Sequence, residues 1–435
     1  MISENKKLLK IILLISILSL INSFLFIFVF QYRQPLDADS LEYDSIAWSF
    51  SQGYGLIYEG SPYISKPPSY IIFVGIIYTL LGHEPDIVLF IQSIIYVLIC
   101  IIFYFISINI LNERMSILSS VLLATYFPLA YYTSGILTEI FVTFVLGTSI
   151  FLLIKYRENF QKNTLFICSV FLGIAILCKP ILIFFPFAIL GYFVIQKIGY
   201  KKVFVSSVVL FLSTGSLLSV WILRNYIVFG DFILLSRDNM GDVVLRSVLD
   251  QDYKHFLWND VHHWRQDHSS DPRKELLNEV EGRIDKEFQL DPKKSKDSLY
   301  LRETVKLIYQ EPLQYIVGCL VRILRLWISY PTRSGFLFKL FVTSYDLLLL
   351  ILGIIGFISS RRQWRDLSIF WLPIVYISIM HLPMHVEPRY SVPTKPYLLI
   401  FTAMGVVHII QQWQLAQRPF FKKRHHSSKM TNGKR

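Results

Sequence analysis

The sequence predicts an all-α polytopic membrane protein with juxtamembrane helices in its first outer loop and a small extracytoplasmic helical domain. Three observations carry this. Of the 435 residues, 53% are hydrophobic and only 17% charged, against roughly a quarter charged in soluble domains. Apolar runs such as Leu8 to Phe30 and Ile87 to Ile110 exceed the roughly 18 residues that mark a bilayer-spanning helix. The remaining charges gather at the ends of such runs or in one hydrophilic stretch.

The first run follows Lys6, Lys7 and Lys10, as the core of a signal peptide would. It is longer than the about 7–15 residues of such a core, and no A-x-A-like cleavage site follows, so it is expected to remain as a signal anchor. Its lysines belong in the cytoplasm. Two segments are ambiguous: Pro68 to Gly82 is short for a span, and Leu313 to Tyr330 carries Arg322 and Arg325 inside an apolar pattern. An arginine at mid-membrane costs about 2.5–3.5 kcal/mol on insertion scales, so the second is expected as an amphipathic helix at the surface.

With neither segment crossing, spans follow near residues 87–110, 116–133, 140–154, 164–178, 181–195, 203–222, 337–358, 367–382 and 393–411. That makes about ten, with both termini cytoplasmic. It also places Arg114, Lys155, Arg157, Lys162, Lys197, Lys201, Lys202, Arg361, Arg362, Arg365 and the tail Lys422, Lys423, Arg424 on the cytoplasmic side. The runs 140–154 and 164–178 reach only about 22 Å at 1.5 Å per residue, so they need a thinned bilayer or later ends.

Three parts result. Residues 1–224 form an N-terminal transmembrane module whose first outer loop is 31–67; residues 225–330 form an extracytoplasmic loop domain with the interfacial helix; residues 331–435 hold the C-terminal transmembrane helices and basic tail. Within the middle part, Asp271 to Gln289 and Asp297 to Gln310 read as helices, with Asp271-Pro272 and Asp291-Pro292 as caps or turns. Cys100, Cys168, Cys178 and Cys319 have no metal or disulfide spacing and read as packing. The net charge of +12 sits at helix ends and in the tail, which suits membrane lipids as partners and excludes nucleic acid as the simplest explanation.

With the cytoplasmic charges set aside, Asp39, Lys66, Glu139, Lys179, Arg224 and Arg389 remain at the outer ends of spans. Charges at that depth mark functional sites, while the plainer alternative for each Lys or Arg is snorkelling to lipid headgroups. Acids and bases together suit catalysis on an anionic lipid. Trp221 and Tyr226 around Arg224 read as an interfacial aromatic belt, which leaves the arginine unexplained. Arg389, in Glu387-Pro388-Arg389-Tyr390, is open to a local contact with Glu387 or to a phosphate, whose oxygens suit a guanidinium fork. Glu139 reads equally as a helix N-terminal acid or as a site residue. Asp37-Ala38-Asp39 is a weak D-x-D metal pair. His255, His262, His263 and His268 fit no zinc spacing and read as solvated surface.

Asp39-Ser40-Leu41-Glu42-Tyr43-Asp44-Ser45-Ile46-Ala47, followed by Gly53-Tyr54-Gly55, resembles the D-x-x-x-Y-x-x-I/L-A segment of membrane glycosyltransferases that use polyprenyl-phosphate sugars. These are GT-C-type helical bundles that include the protein O-mannosyltransferases and the aminoarabinose transferase of lipid A. Lys66-Pro67-Pro68 is similar to their K-P-P or H-P-P motif. Gly173-Ile174-Ala175-Ile176-Leu177-Cys178-Lys179-Pro180 is similar to G-x-A-x-L-x-[RK]-P, Arg224-Asn225-Tyr226 with Asn239 and Gly241 to an R-N-Y segment and its loop, and Arg389-Tyr390-Ser391-Val392-Pro393 to R-Y-x-x-P. Glu139 falls where relatives carry an acid. The chain lacks the Asp-Glu pair of the mannosyltransferases at Asp39-Ser40.

The resemblance implies Asp39 as catalytic carboxylate and Lys66 at the donor phosphate. On that basis Asp39 is expected as general base, Lys66, Arg224 and Arg389 as phosphate ligands, and Tyr43, Glu139, Lys179 and Tyr390 as substrate-positioning residues. The donor would be a polyprenyl-phosphate-linked sugar and the acceptor a lipid, glycan or protein hydroxyl, joined with inversion at the extracytoplasmic face of the plasma or inner membrane. The sequence names no cofactor, and a divalent metal is left open. The rival reading is a transporter or flippase of lipid-linked saccharides, whose charged site would lie near the bilayer midplane between internal repeats. Neither a repeat nor a midplane cluster is found.

Overall fold

The computed structural model describes residues 2–30, 38–236, 240–249, 272–291, 296–328 and 336–431. Asp37, Asn239, Asp271, Pro292 and the histidines His255, His262, His263 and His268 lie outside the described residues.

Apolar runs in lipid must satisfy every backbone N–H and C=O within the segment, and the helix does so. α1 (Ile2–Phe24), prolonged by a π-type stretch at Leu25–Phe30, precedes α2 (Ala38–Ser51). A hairpin of two-residue strands, β1 (Ile57–Tyr58) and β2 (Ser61–Pro62), departs from the all-α expectation. Its turn residues Glu59 and Gly60 both have positive φ, 49° and 77°, the geometry of a tight primed turn. α3 (Ser69–Leu81), α4 (Pro85–Ile108), α5 (Glu113–Ala124), α6 (Phe127–Tyr131), α7 (Thr138–Asn159), α8 (Lys162–Ile176), α9 (Phe185–Ile195) and α10 (Tyr200–Phe229) complete the N-terminal half. α11 (Met240–Leu249), α12 (Pro272–Leu290), α13 (Lys296–Gln310) and α14 (Pro312–Trp327) follow, and α15 (Phe336–Ser359), α16 (Ser368–Met380) and α17 (Lys395–Thr431) end the chain.

Among the described residues six helical stretches are long and apolar enough to cross a membrane: Asn5–Val29, Pro85–Ile108, Thr138–Asn159, Tyr200–Phe229, Phe336–Ser359 and Pro388–Ala416. Glu113–Ala124 and Phe127–Ser134, bent by 42°, make a seventh, broken one. The shorter apolar helices Lys162–Ile176, Pro180–Ile195 and Ser368–Met380 fall on the remaining expected spans. The run read as 140–154 gains length at its end, where α7 continues to Asn159. At the break after α5, the carbonyls of Leu123 and Ala124 accept from Tyr96 Oη at 2.7 Å and Asn22 Nδ2 at 3.2 Å. Side chains of α4 and α1 thus satisfy backbone that lipid could not.

α15 and α17 approach until backbone meets backbone. A Cβ on Gly356 would stand 1.9 Å from the Phe401 carbonyl, and one on Gly405 2.0 Å from that of Leu352, as small residues permit between membrane helices. Beside this seam Lys395, 2% exposed, donates to Asp346 Oδ2 at 3.1 Å and to the Trp327 carbonyl at 2.5 Å, while Tyr126 Oη donates to Asp346 Oδ1 at 2.7 Å. One buried ion pair therefore ties the broken helix, α14, α15 and α17 together.

The hydrophilic middle region has its own small core of Leu245, Leu277, Val280, Ile284, Leu299 and Tyr300. Two of its helices were expected; α11 was not. Leu313 to Tyr330, expected as an amphipathic helix at the surface, divides its apolar and charged residues between two faces. α14 exposes Leu313, Ile316, Val317, Leu320 and Leu324 and buries Arg322 and Arg325. Arg322 donates to the carbonyls of Ser247 at 2.6 Å and Leu382 at 3.2 Å, so protein carbonyls, not water, solvate the charge.

α2 and α3 lie face to face. A Cβ on Gly75 would fall 2.5 Å from Phe50 Cδ1 and 3.1 Å from the Ala47 carbonyl, so only glycine lets α3 come this close. Beyond this contact Asp44 accepts from Tyr78 Oη and faces His83 Nε2 at 3.1 Å, with the His83 ring stacked on Trp48 at 4.6 Å.

Candidate active site

Asp39 stands in the first turn of α2. Lys66 leaves the loop between the hairpin and α3, a loop fixed by Ser69, whose N–H and Oγ donate to the carbonyls of Leu177 at 3.1 Å and Ile174 at 2.9 Å. The end of α8 that holds this loop also carries Lys179. Arg389 arrives on a 3₁₀ segment, Pro388–Thr394, at the head of α17.

These elements converge on the Asp39 carboxylate. Lys66 Nζ donates to Oδ1 at 2.9 Å and Arg389 Nη1 to Oδ2 at 2.7 Å. Burial by itself would raise the Asp39 carboxyl, but Arg389 and then Lys66 outweigh it and hold the group well below the usual carboxylate range. Lys66 also pairs with Glu42, three residues on from Asp39 and so on the same helix face. Its ammonium lies 4.4 Å from the centroid of the Tyr43 ring, a cation–π distance.

Glu42 accepts in turn from Tyr63 Oη at 2.5 Å, and the Tyr63 carbonyl accepts from Arg224 Nη1 at 3.0 Å. Tyr63 therefore connects the Lys66 pair to the Arg224 guanidinium, which rests on Trp221 at 4.9 Å and Phe229 at 5.3 Å. Arg224 has no carboxylate partner among the described residues; its other acceptor is Asn225 Oδ1 at 3.1 Å. The spans thus bring together Asp39, Lys66, Arg389 and, through Tyr63, Arg224.

On the other flank of Arg389, its Nε lies 2.7 Å from Glu387 Oε2 and its guanidinium 5.6 Å from the Tyr390 ring. The local Glu387 contact that the sequence left open is made, and Asp39 is contacted as well. Glu139, 1% exposed, opens α7 and accepts from Lys179 Nζ at 3.1 Å through Oε1; its Oε2 is buried without a partner. The His381 ring stacks on Tyr390 at 5.4 Å, and Lys179, His381 and Tyr390 line a shallow cleft with Leu182 and Ile377. Glu139 thus stands in the first turn of a helix and also faces Lys179.

Two residues escaped the sequence reading. Glu42 left a signal in its spacing from Asp39, whereas Tyr63 left none, because its role depends on the hairpin that carries it. No three His, Cys, Asp or Glu side chains gather as a metal site among the described residues. Both Asp39 oxygens already face cations, so this donor set does not fit a divalent ion.

Residues 65–223 match the family described as dolichyl-phosphate-mannose-protein mannosyltransferase. No curated protein sequence matches the chain. Among solved structures, the chain is similar to the oligosaccharyltransferase AglB of Archaeoglobus fulgidus in complex with an inhibitory peptide and a dolichol-phosphate. There the TM-score is 0.57 at 13% identity, over 98% of this chain and 52% of that one. The apo form of the Archaeoglobus fulgidus enzyme gives 0.57 at 12%, over 94% and 51%. ArnT of Cupriavidus metallidurans bound to undecaprenyl phosphate gives 0.42 at 13%, over 91% and 76%. The chain spans about half the length of the oligosaccharyltransferases it matches. Residues 65–223 thus carry the match to a mannosyltransferase family, and the fold of the chain is similar to that of the Archaeoglobus fulgidus oligosaccharyltransferase.

Proposed function

We propose that the chain transfers a sugar from a polyprenyl-phosphate donor to an acceptor hydroxyl at the extracytoplasmic membrane surface, with both termini in the cytoplasm. The observation that carries this is the Asp39 carboxylate held between Lys66 and Arg389, with Arg224 one residue away through Tyr63. A base and cations within one cluster suit displacement at a sugar phosphate better than passage of a solute.

In this reading the acceptor oxygen forms a bond to the anomeric carbon while the bond from that carbon to the phosphate oxygen breaks, its electron pair leaving with the phosphate. The acceptor proton passes to Asp39. A single in-line displacement inverts the anomeric centre. Arg224, with no carboxylate to give up, anchors the donor phosphate first, and Lys66 turns to it next. Arg389 orients Asp39 and shares with Lys66 the role of its counter-ion, while the remaining Lys66 N–H reaches the phosphate. Tyr43, Glu139, Lys179 and Tyr390 position substrate, with the unpartnered Glu139 oxygen available to a hydroxyl. Residues 1–224 and 331–435 act as the transmembrane parts and 225–330 as the outer domain.

The test is reconstitution of the full chain in liposomes with undecaprenyl-phosphoryl hexoses, reading release of undecaprenyl phosphate. Release that depends on Arg224 supports the function. Equal movement of intact donor across the bilayer in the wild type and Arg224→Ala, without release, would favour a flippase. Mass spectrometry of surface glycans and lipids from a deletion strain would then identify the sugar and acceptor.

A further inference from the structure

Resting on that reading, we infer that Glu42 makes the site discriminate against the phosphomonoester product, favouring its departure over that of the phosphodiester donor. The donor diester carries one negative charge. Transfer turns it into a lipid phosphomonoester that is close to dianionic above its second ionisation near pH 6. The cations that hold the donor would therefore hold the product more tightly, and the product would block the site.

Glu42 opposes this. Lys66 has three N–H donors; Asp39 and Glu42 take two, leaving one for phosphate. Any phosphate that reaches the Lys66 ammonium therefore lies beside the Glu42 carboxylate as well. Tyr63 Oη fixes that carboxylate at 2.5 Å, so it cannot swing aside while Tyr63 keeps Arg224 at 3.0 Å. A neighbouring carboxylate repels each phosphate charge, so it costs the dianion about twice what it costs the monoanion. At about 5 Å and an intermediate effective dielectric, the difference corresponds to about tenfold or more in affinity. Asp39 does not serve this purpose, because it receives the acceptor proton as the product forms.

The test uses the purified full chain in detergent at pH 8, with calorimetric binding of undecaprenyl monophosphate and of its methyl ester. The expected result is that the unsubstituted protein binds the monoester no more tightly than the methyl ester. Glu42→Gln should tighten the ester about tenfold and the monoester about a hundredfold, and Glu42→Asp, which keeps the charge, should hold the wild-type ratio. Equal tightening of both ligands in Glu42→Gln overturns the inference. So does a monoester bound tenfold or more tightly than the ester by the unsubstituted protein, a result that needs no variant to fold. If the unsubstituted protein binds neither lipid, the proposed function itself falls, and this inference with it.

Discussion

Asp39 and Arg389, separated by 350 positions in the chain, meet at 2.7 Å. The contact closes a cluster whose other parts come from the segment between α1 and α3 and from the last turns of α10. Asp39 takes its position from the Gly75 contact beneath α2 and Arg389 from the Lys395 anchor six residues further on, so the meeting depends on packing at two distant places.

If Asp39 is the base, Asp39→Asn should lower turnover by about 10²–10⁴-fold, the usual contribution of a general base. The measurement is single-turnover transfer from a labelled donor with membrane-inserted protein quantified in parallel. Near-wild-type turnover would refute the assignment.

Arg224→Ala should act mainly on donor affinity. A hydrogen bond to a charged group is worth about 1.5–3 kcal/mol, so the donor KM should rise about tenfold to a hundredfold, and Arg224→Lys should recover part of the loss. An unchanged KM would remove Arg224 from the phosphate site.

Acid should weaken the fold through Asp39. Its carboxyl is held below the ordinary value of about 3.9, by Arg389 and Lys66 working against burial. A depressed folded pKa contributes stability that is present above the unfolded value and lost as pH falls through the folded one. Thermal unfolding of the wild type should therefore drop more steeply below about pH 4 than that of Asp39→Asn, with no Asp39-dependent slope between pH 5 and 8. Parallel curves below pH 4 would mean the ion pairs are absent.

Asp346→Ala should destabilise the bundle by about 3–5 kcal/mol, because it leaves the Lys395 charge buried without its partner. Replacing both residues, with Asp346→Leu and Lys395→Met, should restore most of that stability. Thermal scans in detergent separate the two outcomes, and a double variant no better than Asp346→Ala would show that the pair itself stabilises the fold.

Much of this arrangement was legible because lipid restricts a chain to few structures. Apolar length and the sorting of Lys and Arg gave the helical class and singled out Asp39, Lys66, Arg224 and Arg389. What remained hidden depends on tertiary partners. The charge of Arg322 argues for a surface position whatever its partners; the carbonyls of Ser247 and Leu382 that receive it are distant in sequence and leave no signal there. Glu42 and Tyr63 belong to the site only because the hairpin at Glu59-Gly60 folds Tyr63 back over α2. Asp346 and Lys395 give no signal of their pairing in the sequence, since a lone acid within an apolar run and a lysine before a proline resemble a helix interior and a helix end.

The late arrival of Arg389 has a consequence for biosynthesis. When the ribosome has released the N-terminal half, Asp39 and Lys66 are both made, but the guanidinium that completes the carboxylate's surroundings is still to be translated. The surroundings of that carboxylate are therefore complete only once the last-made helix, α17, has docked.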